Sequence, residues 1–295
     1  MPTPERLAEQ FEEHRAHLRA VAYRMLGSAS EAEDAVQEGW IRLGHTDVTA
    51  VENLRAWLTT VVARVCLDML RTRRSRREAP LEEHAVHVPD PVIPRADDPE
   101  SSAVLADSVG LALLVVLETL EPAERLAFVL HDVFGMTFDE IAPIVDRSPV
   151  AARQLASRAR RRVQGGVPDA DRDLQQQRRV VEAFLAAARE GDFAQLMTVL
   201  DPDMVLRADA GAVAGASRVV RGAQAVAEQA AMFSKLGLSN QVVLVNGHVG
   251  LLSRRPDGQL FSVIGFTIAR GKIVEMDILA DPERLTRLDL SAVAT

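Results

Sequence analysis

Arg153, Arg158, Arg160 and Arg161 fall within one short stretch, SPVAARQLASRARRRV (Ser148–Val163). Residues 141–165 carry 6 basic side chains against 1 acidic one. Guanidinium groups at helical spacing suit two tasks on nucleic acid: they meet backbone phosphate, and as planar double donors they read the guanine edge. Gln154 and Ser157, between them, add neutral hydrogen-bonding groups. A second basic block, residues 53–78, holds 7 basic and 2 acidic residues, among them Arg55, Arg64, Arg71, Arg73 and Arg74. The intervening residues 79–124 hold 10 acidic and 1 basic. A formal net charge of -8 therefore conceals two local footprints that suit phosphate.

The elements that must position these arginines can be read from caps and periodicity. Thr137-Phe-Asp-Glu140 fits a capping box opening a short helix. Phe138, Ile141, Ile144 and Val145 share its apolar face. Asp146-Arg147 forms the turn, because Asp tolerates the left-handed conformation. Ser148 then caps a second helix with Pro149 at its first position, running to about Val163. Val150, Leu155 and Ala159 are expected to face inward. Helix, three-residue turn and basic helix make a helix-turn-helix pattern. An ordinary helical hairpin with a solvated basic face would look the same locally.

Toward the N-terminus, residues 5–26 are expected to form an amphipathic helix broken at Gly27-Ser28. Ser30-Glu-Ala-Glu33 reads as a second capping box, opening EAEDAVQEGWIRL. After the loop GHTDVTAVEN comes one long helix with Leu54, Leu58, Val61, Val65 and Leu70 on its buried stripe. The single cysteine, Cys66, sits among apolar neighbours and reads as buried core. It excludes an intrachain disulfide framework.

YRMLGSASEAEDAVQEGWIRL followed by NLRAWLTTVVARVCLDMLR resembles region 2 of bacterial extracytoplasmic-function sigma factors. LEPAERLAFVLHDVFGMTFDEIAPIVDRSPVAARQLASRARRRV is similar to their region 4. The resemblance implies a protein that takes core RNA polymerase to promoter DNA. Region 2 would grip the polymerase clamp helices through Asp34, Gln37, Glu38 and Trp40, although packing in the core would equally suit Trp40. It would also open the -10 element, with Asn53 and Arg55 near a flipped base and Arg64, Arg71, Arg73 and Arg74 on phosphate. Region 4 would dock on the polymerase flap. There Ser148, Arg153, Gln154 and Ser157 would serve -35 readout, and Arg158, Arg160 and Arg161 phosphate.

Residues 79–102, rich in Pro, Asp and Glu, read as an extended acidic tether. Beyond Gly165-Gly166 a third unit is expected. It comprises the helix RRVVEAFLAAAREGDFAQLMTVL, a strand at Met204–Leu206, a Gly/Ala-rich loop, a helix at Gln224–Leu236, and runs at Gln241–Val245, Val249–Arg254, Leu260–Ala269 and Lys272–Ile278. Pro256-Asp-Gly258 and Arg270-Gly271 supply hairpin turns. GDFAQL, DPDMVLRAD and GKIVEMDI are similar to the SnoaL-like cone, a domain borne by a subgroup of these sigma factors. The expected fold class is therefore multidomain. It has two all-α sigma domains, a region 2 bundle (1–78) and a region 4 helix-turn-helix (103–166), then an α+β SnoaL-like cone with a curved antiparallel sheet (172–290).

In that subgroup the extra domain stands in for a separate anti-sigma partner and modulates activity by contacting region 2 and the linker. The resemblance places this contact at Pro89, Asp90 and Pro91, at Asp209 and Gly211, and at Asp281, Pro282 and Leu285. His87 stands where the subgroup has Trp, and Asp209-Ala-Gly-Ala212 only partly matches its Gly-rich motif.

Catalysis in the cone would draw on Asp209, His248 and Asp277 near its mouth. With Tyr23 the only tyrosine, a Tyr-based oxyanion hole is missing. No catalytic residue, metal site or cofactor is expected. The charged opening MPTPERLAEQFEEHRAHLRA and the short apolar runs predict neither a secretory leader nor a membrane helix, hence a cytoplasmic protein with no membrane partner. Two other readings remain: a DNA-binding regulator that works without polymerase, and a fusion whose last domain binds or transforms a small ligand.

Overall fold

The computed structural model describes residues 4–46, 51, 53–77, 86–94, 110–211 and 217–290. The chain divides into two compact units, Met1–Glu82 with Val116–Gly166, and Glu83–Val115 with Val167–Thr295.

In the first unit, α1 (Pro4–Leu26), α2 (Ala29–Gly44) and α3 (Leu54–Arg77) form a bundle. Leu18, Val21, Tyr23 and Met25 of α1 meet Leu58, Val62, Cys66 and Leu67 of α3 in a core that excludes water. Burial pushes the Cys66 thiol pKa up, so the side chain is an inert apolar filler. A Cβ on Gly39 would come within 2.9 Å of Val62, which is why α2 lies so close on α3. Helix α2 begins two residues before the position expected from Ser30. Gly27 is left-handed (φ 72°), which frees Ser28 to adopt extended geometry and accept from the Glu31 amide. The glycine that ends one helix thus selects the cap of the next.

Next along the chain come α4 (Leu111–Glu118), whose residues up to Val115 belong to the second unit, then α5 (Pro122–Phe128), α6 (Phe138–Val145) and α7 (Pro149–Gly166), with a π-helical turn at Val129–Val133 after α5. The Thr137–Glu140 capping box forms in both directions, and Asp146 is left-handed at φ 56°. The inward face of α7 is Ala152, Ala156 and Ala159, whereas Val150 is 68% exposed and Leu155 only half-buried. Small residues let α7 sit against α5 and α6, and Val150, on the first turn, falls outside that i, i+4 row.

Within this unit α5 and α6 pack on α3, and the π turn packs on α1. Arg125 of α5, fully buried, donates to the Arg24 carbonyl of α1 at 3.1 Å. Desolvation lowers its pKa to about 10. Arg24 lies over the Phe134 ring, and His17 meets the edge of the same ring. Arg64 of α3 donates to the Pro143 carbonyl of α6 at 3.1 Å.

The second unit is α+β. Helices α8 (Leu174–Glu190), α9 (Phe193–Val199) and α10 (Ala223–Phe233) cover one face of a six-stranded sheet. Its strands are β1 (Leu200–Asp209), β2 (Arg218–Arg221), β3 (Ser239–Val245), β4 (His248–Arg254), β5 (Leu260–Ala269) and β6 (Lys272–Leu279), in the order β2-β1-β6-β5-β4-β3. All pairings are antiparallel except β1 with β6. The local turns set the antiparallel hairpins. The β1–β6 neighbours are joined by no hairpin, so their direction is free of that constraint.

Three further differences from the expected elements have local causes. The long helix is two helices, because Gly191 ends α8 in a left-handed cap and Asp192 opens α9. Strand β2 arises inside the Gly/Ala-rich stretch, where Val219 and Val220 find a partner in β1. The β3–β4 hairpin turns on Asn246-Gly247, both with positive φ, the type I′ signature.

Side chains alternate across the sheet. Leu206, Ala208, Ile264, Met276 and Ile278 face the helices, where they line or close a cavity of about 410 Å³. On the opposite face Val245, Leu252, Val263 and Leu279 pack with Ile93 and Leu285. Gly250 and Gly265, paired across β4 and β5, leave a groove on the sheet into which Leu111 packs.

Candidate functional site

On α7, Ser148 caps the helix by accepting from the Ala151 amide, and Arg153, Gln154, Ser157, Arg158 and Arg161 are exposed. The arginines are not equivalent. Arg158 donates to Glu124 at 2.6 Å and Arg162 to the same carboxylate at 3.1 Å. Glu124 is only 4% exposed. Arg160 donates twice to Asp132. These three brace α7 against α5 and the π turn. Arg153 stacks over Phe138 at 5.3 Å, which holds its guanidinium on the outer surface. Arg153, Gln154, Ser157 and Arg161 thus form the outward-facing strip.

The residues of α1–α3 and the turn before α3 divide in a similar way. Asn53 caps α3 through the Ala56 amide, and Arg55 hydrogen-bonds the His17 ring at 3.1 Å. Burial and the neighbouring Arg55 charge depress the His17 pKa to about 4, so its ring is neutral and can accept from Arg55. Arg71 is exposed beside Asp68. Arg73 pairs with Glu31 and donates to the Leu26 carbonyl, which ties α3 to the α1–α2 junction. Arg74 pairs with Glu121, just before α5. Arg64 is engaged at Pro143, as described above. On α2, Asp34 and Gln37 are exposed, and Glu38 pairs with Arg42. Trp40 is half-buried, with its ring 5.1 Å from Phe11. Ile41, 48% exposed on α2, was not singled out in the sequence because an isoleucine in an amphipathic helix reads as core.

The linker residues expected to be a tether are docked in the second unit. Val88, Pro89, Asp90 and Pro91 are buried, and Ile93 enters the core on the sheet face away from the helices. Arg284, on the one-turn helix α11 (Pro282–Leu285), organises the contact. It donates to Asp90 at 2.8 Å, to the Val88 carbonyl at 2.6 Å and to Asp209 at 2.7 Å. Asp209 also accepts from the Val88 amide at 3.0 Å, and His87 lies 3.3 Å away. Burial works against the Asp209 charge. Hydrogen bonds from His87, Val88 and Gly211 and the Arg284 charge overcome it and hold the pKa near 2. Asn246 exchanges two hydrogen bonds with Val92. Gly211, at φ 61°, sits so close to Asp281 that a Cβ would fall 2.3 Å from its carboxylate. Asp281 caps α11, and Leu285 is buried beside Ile93.

Pro89, Asp90, Pro91, Asp209, Gly211, Asp281, Pro282 and Leu285 all lie in the second unit, in or next in sequence to this hydrogen-bonded cluster and the Ile93–Leu285 core. Sequence reasoning missed Arg284 and Asn246. The available signal for Arg284 was a lone cation inside DPERL facing an acidic linker. Asn246 could have been found as the first residue of an Asn-Gly turn.

Asp209, His248 and Asp277 do not converge in the cone. Asp209 and Asp277 occupy the opposite strand parity to Ala208 and Ile278, so they face away from the cavity. Asp277 pairs with Arg207 at 3.0 Å, and burial raises its pKa to about 6. His248 lies against Gln177 and Gly110. Strand alternation that the sequence does contain, but whose phase only the closed sheet assigns, overturns that grouping.

A helix-turn-helix packed on a three-helix bundle, followed by a cone that clasps the intervening linker, defines a multidomain transcription protein. Residues 10–76 match Sigma-70 region 2, and residues 110–163 match Sigma-70, region 4. The chain is 37% identical to ECF RNA polymerase sigma factor SigJ of Mycobacterium tuberculosis, over 94% of this chain and 92% of that one. It is 35% identical to the probable ECF sigma factor SigI of the same species, over 93% of each. The crystal structure of M. tuberculosis SigJ superposes with a TM-score of 0.75 at 33% identity, covering 96% of this chain and 99% of the other. The chain belongs to the extracytoplasmic-function class of sigma-70 family RNA polymerase sigma factors. It is a promoter-specificity subunit, and membership implies binding to core polymerase and promoter DNA. Among the described residues no helix is long and apolar enough to cross a membrane.

Proposed function

We propose that this sigma factor is held closed by its own packing and that its C-terminal domain governs release through the linker. Region 2 (1–78) binds the polymerase clamp helices through the Asp34, Gln37, Glu38 and Trp40 face and melts the -10 element near Asn53 and Arg55. Region 4 (103–166) docks on the polymerase flap and reads the -35 element with Arg153, Gln154 and Ser157. Elements centred near -10 and -35 lie about 25 base pairs apart, ~85 Å along B-form DNA at about 3.4 Å per pair. A compact body of roughly 130 residues has a radius of gyration of only ~14 Å. The two regions therefore have to part, breaking the Arg125–Arg24 and Arg64–Pro143 contacts. The linker 79–102 joins them, and the regulatory domain (172–290) holds its residues 88–93.

The observation that carries this reading is Arg284, which bridges Asp90, Val88 and Asp209. The domain acts on the linker and not on a substrate, since Asp209, Asp277 and His248 are committed away from the cavity. The protein works where core polymerase is, in the cytoplasm. The test is run-off transcription with core polymerase, comparing the full chain with Arg284→Met. Stronger transcription by the variant is expected; equal or weaker transcription would reject the linker clasp as a brake. Promoter binding that is tight without polymerase would favour a plain DNA-binding regulator instead.

A further inference from the structure

We propose that the cone of the second unit binds an amphipathic small carboxylate, with an apolar body, its acid group on Arg218 and a hydroxyl or N–H donor on Gln229. The cavity, about 410 Å³, is within the range of small-molecule sites. Its walls are mostly apolar, yet its charged lining residues are Arg189, Arg218 and Arg255, with no acidic residue among the described lining. In a chain with 42 acidic and 34 basic residues that selection favours an anion.

Two lining side chains carry buried polar atoms that the described residues leave unpaired. Arg218 Nε and Gln229 Oε1 are both buried and have no hydrogen-bond partner among the described residues. Such groups cost free energy unless something pairs with them. One is a cationic donor and the other a neutral acceptor, so the complement is an anionic oxygen and a donor. Arg218 pairs in register with Ala208, whose side chain lines the same cavity, so β2 directs it inward. Phe233 braces Arg218 at 5.8 Å and Phe261 braces Arg255 at 5.3 Å, which adds flat apolar surface beside each charge. Ala210 and Ala280 also line the cavity, and each is the chain neighbour of a residue of the linker clasp, Asp209 or Asp281. An occupant therefore touches the same backbone that carries the clasp. The inference rests on this domain alone and stands whether or not the clasp is a brake.

The test is calorimetric titration of the full chain with decanoate, 3-hydroxydecanoate, 2-naphthoate, decan-1-ol and decylammonium. At least one acid is expected to bind, the amine not at all, and the alcohol about tenfold or more weaker than the matching acid. Arg218→Met should weaken acid binding about 10- to 150-fold, the span for a lost charge-assisted hydrogen bond. Gln229→Leu should erase the preference for 3-hydroxydecanoate over decanoate while both still bind. Ala230→Trp, which fills the cavity, should abolish binding with folding retained. The proposal is overturned if no acid binds, if alcohol and acid bind alike, or if Ala230→Trp leaves binding intact.

Discussion

Arg284→Met removes the guanidinium while keeping most of the side chain's bulk, and it should free the docked linker. Arg284 is 16% exposed at its side chain, and its partners Asp209 and Asp90 are 5% and 12% exposed. Removing one partner of a buried, hydrogen-bonded charge pair costs about 3–5 kcal/mol, because the remaining charge is left uncompensated. The loss is shared by two carboxylates, Asp90 and Asp209, and Asp209 keeps its bonds from the Val88 and Gly211 amides, so the whole of that range applies. At about 1.36 kcal/mol per decade, the docked segment should open about 150- to 5,000-fold more often. The Val88 amide, bonded to Asp209, and the Val92 amide, bonded to Asn246, report the opening directly. Hydrogen exchange resolved to these amides should accelerate by that factor, while amides in β4 and β5 stay protected. Acceleration below about tenfold at Val88 would refute the assignment of Arg284 as the organiser. Equal acceleration throughout the sheet would mean that the residue supports the whole domain and not the clasp.

Arg161→Ala should lower the slope of log affinity against log salt in holoenzyme–promoter binding by about 1, with unchanged thermal stability. Arg158→Ala should instead cost about 1 kcal/mol of stability, because it leaves the buried Glu124 with Arg162 alone; a thermal melt of each variant distinguishes the two roles. Gly211→Ala should destabilise the second unit by about 1–3 kcal/mol, through the positive φ and the collision with Asp281, as measured by denaturant unfolding. The raised Asp277 pKa, about 6, means that ionised Asp277 opposes folding as pH rises from its ordinary value near 3.8 through 6. Asp277→Asn should therefore gain stability relative to the parent across that window, and a constant difference from pH 4 to 7 would contradict the assignment. Arg153→Ala should change the -35 sequence recovered from a randomised promoter library with holoenzyme, and an unchanged preference would remove it from base readout.

The chain's own residues determine the local pieces. Thr137 to Glu140 closes its capping box, Asp146 makes the left-handed turn, and Pro149 starts the basic helix, because caps and turns are settled within four residues. The strands of the cone are legible for the same reason, since period-2 runs are punctuated by Asp-Gly and Arg-Gly turns. What depends on partners distant in sequence was decided only by the tertiary structure. Val150 is exposed because α7 packs through alanines, and Asp209 and Asp277 turn from the cavity because closure of the sheet sets the phase of each strand. Arg158 and Arg160, which read as phosphate contacts, are pinned by acids on α5 and the π turn. An acidic, proline-rich segment reads as a solvated tether until Arg284 and Asn246 are placed beneath it. Composition records which groups a segment offers, and only the fold supplies the groups that meet them.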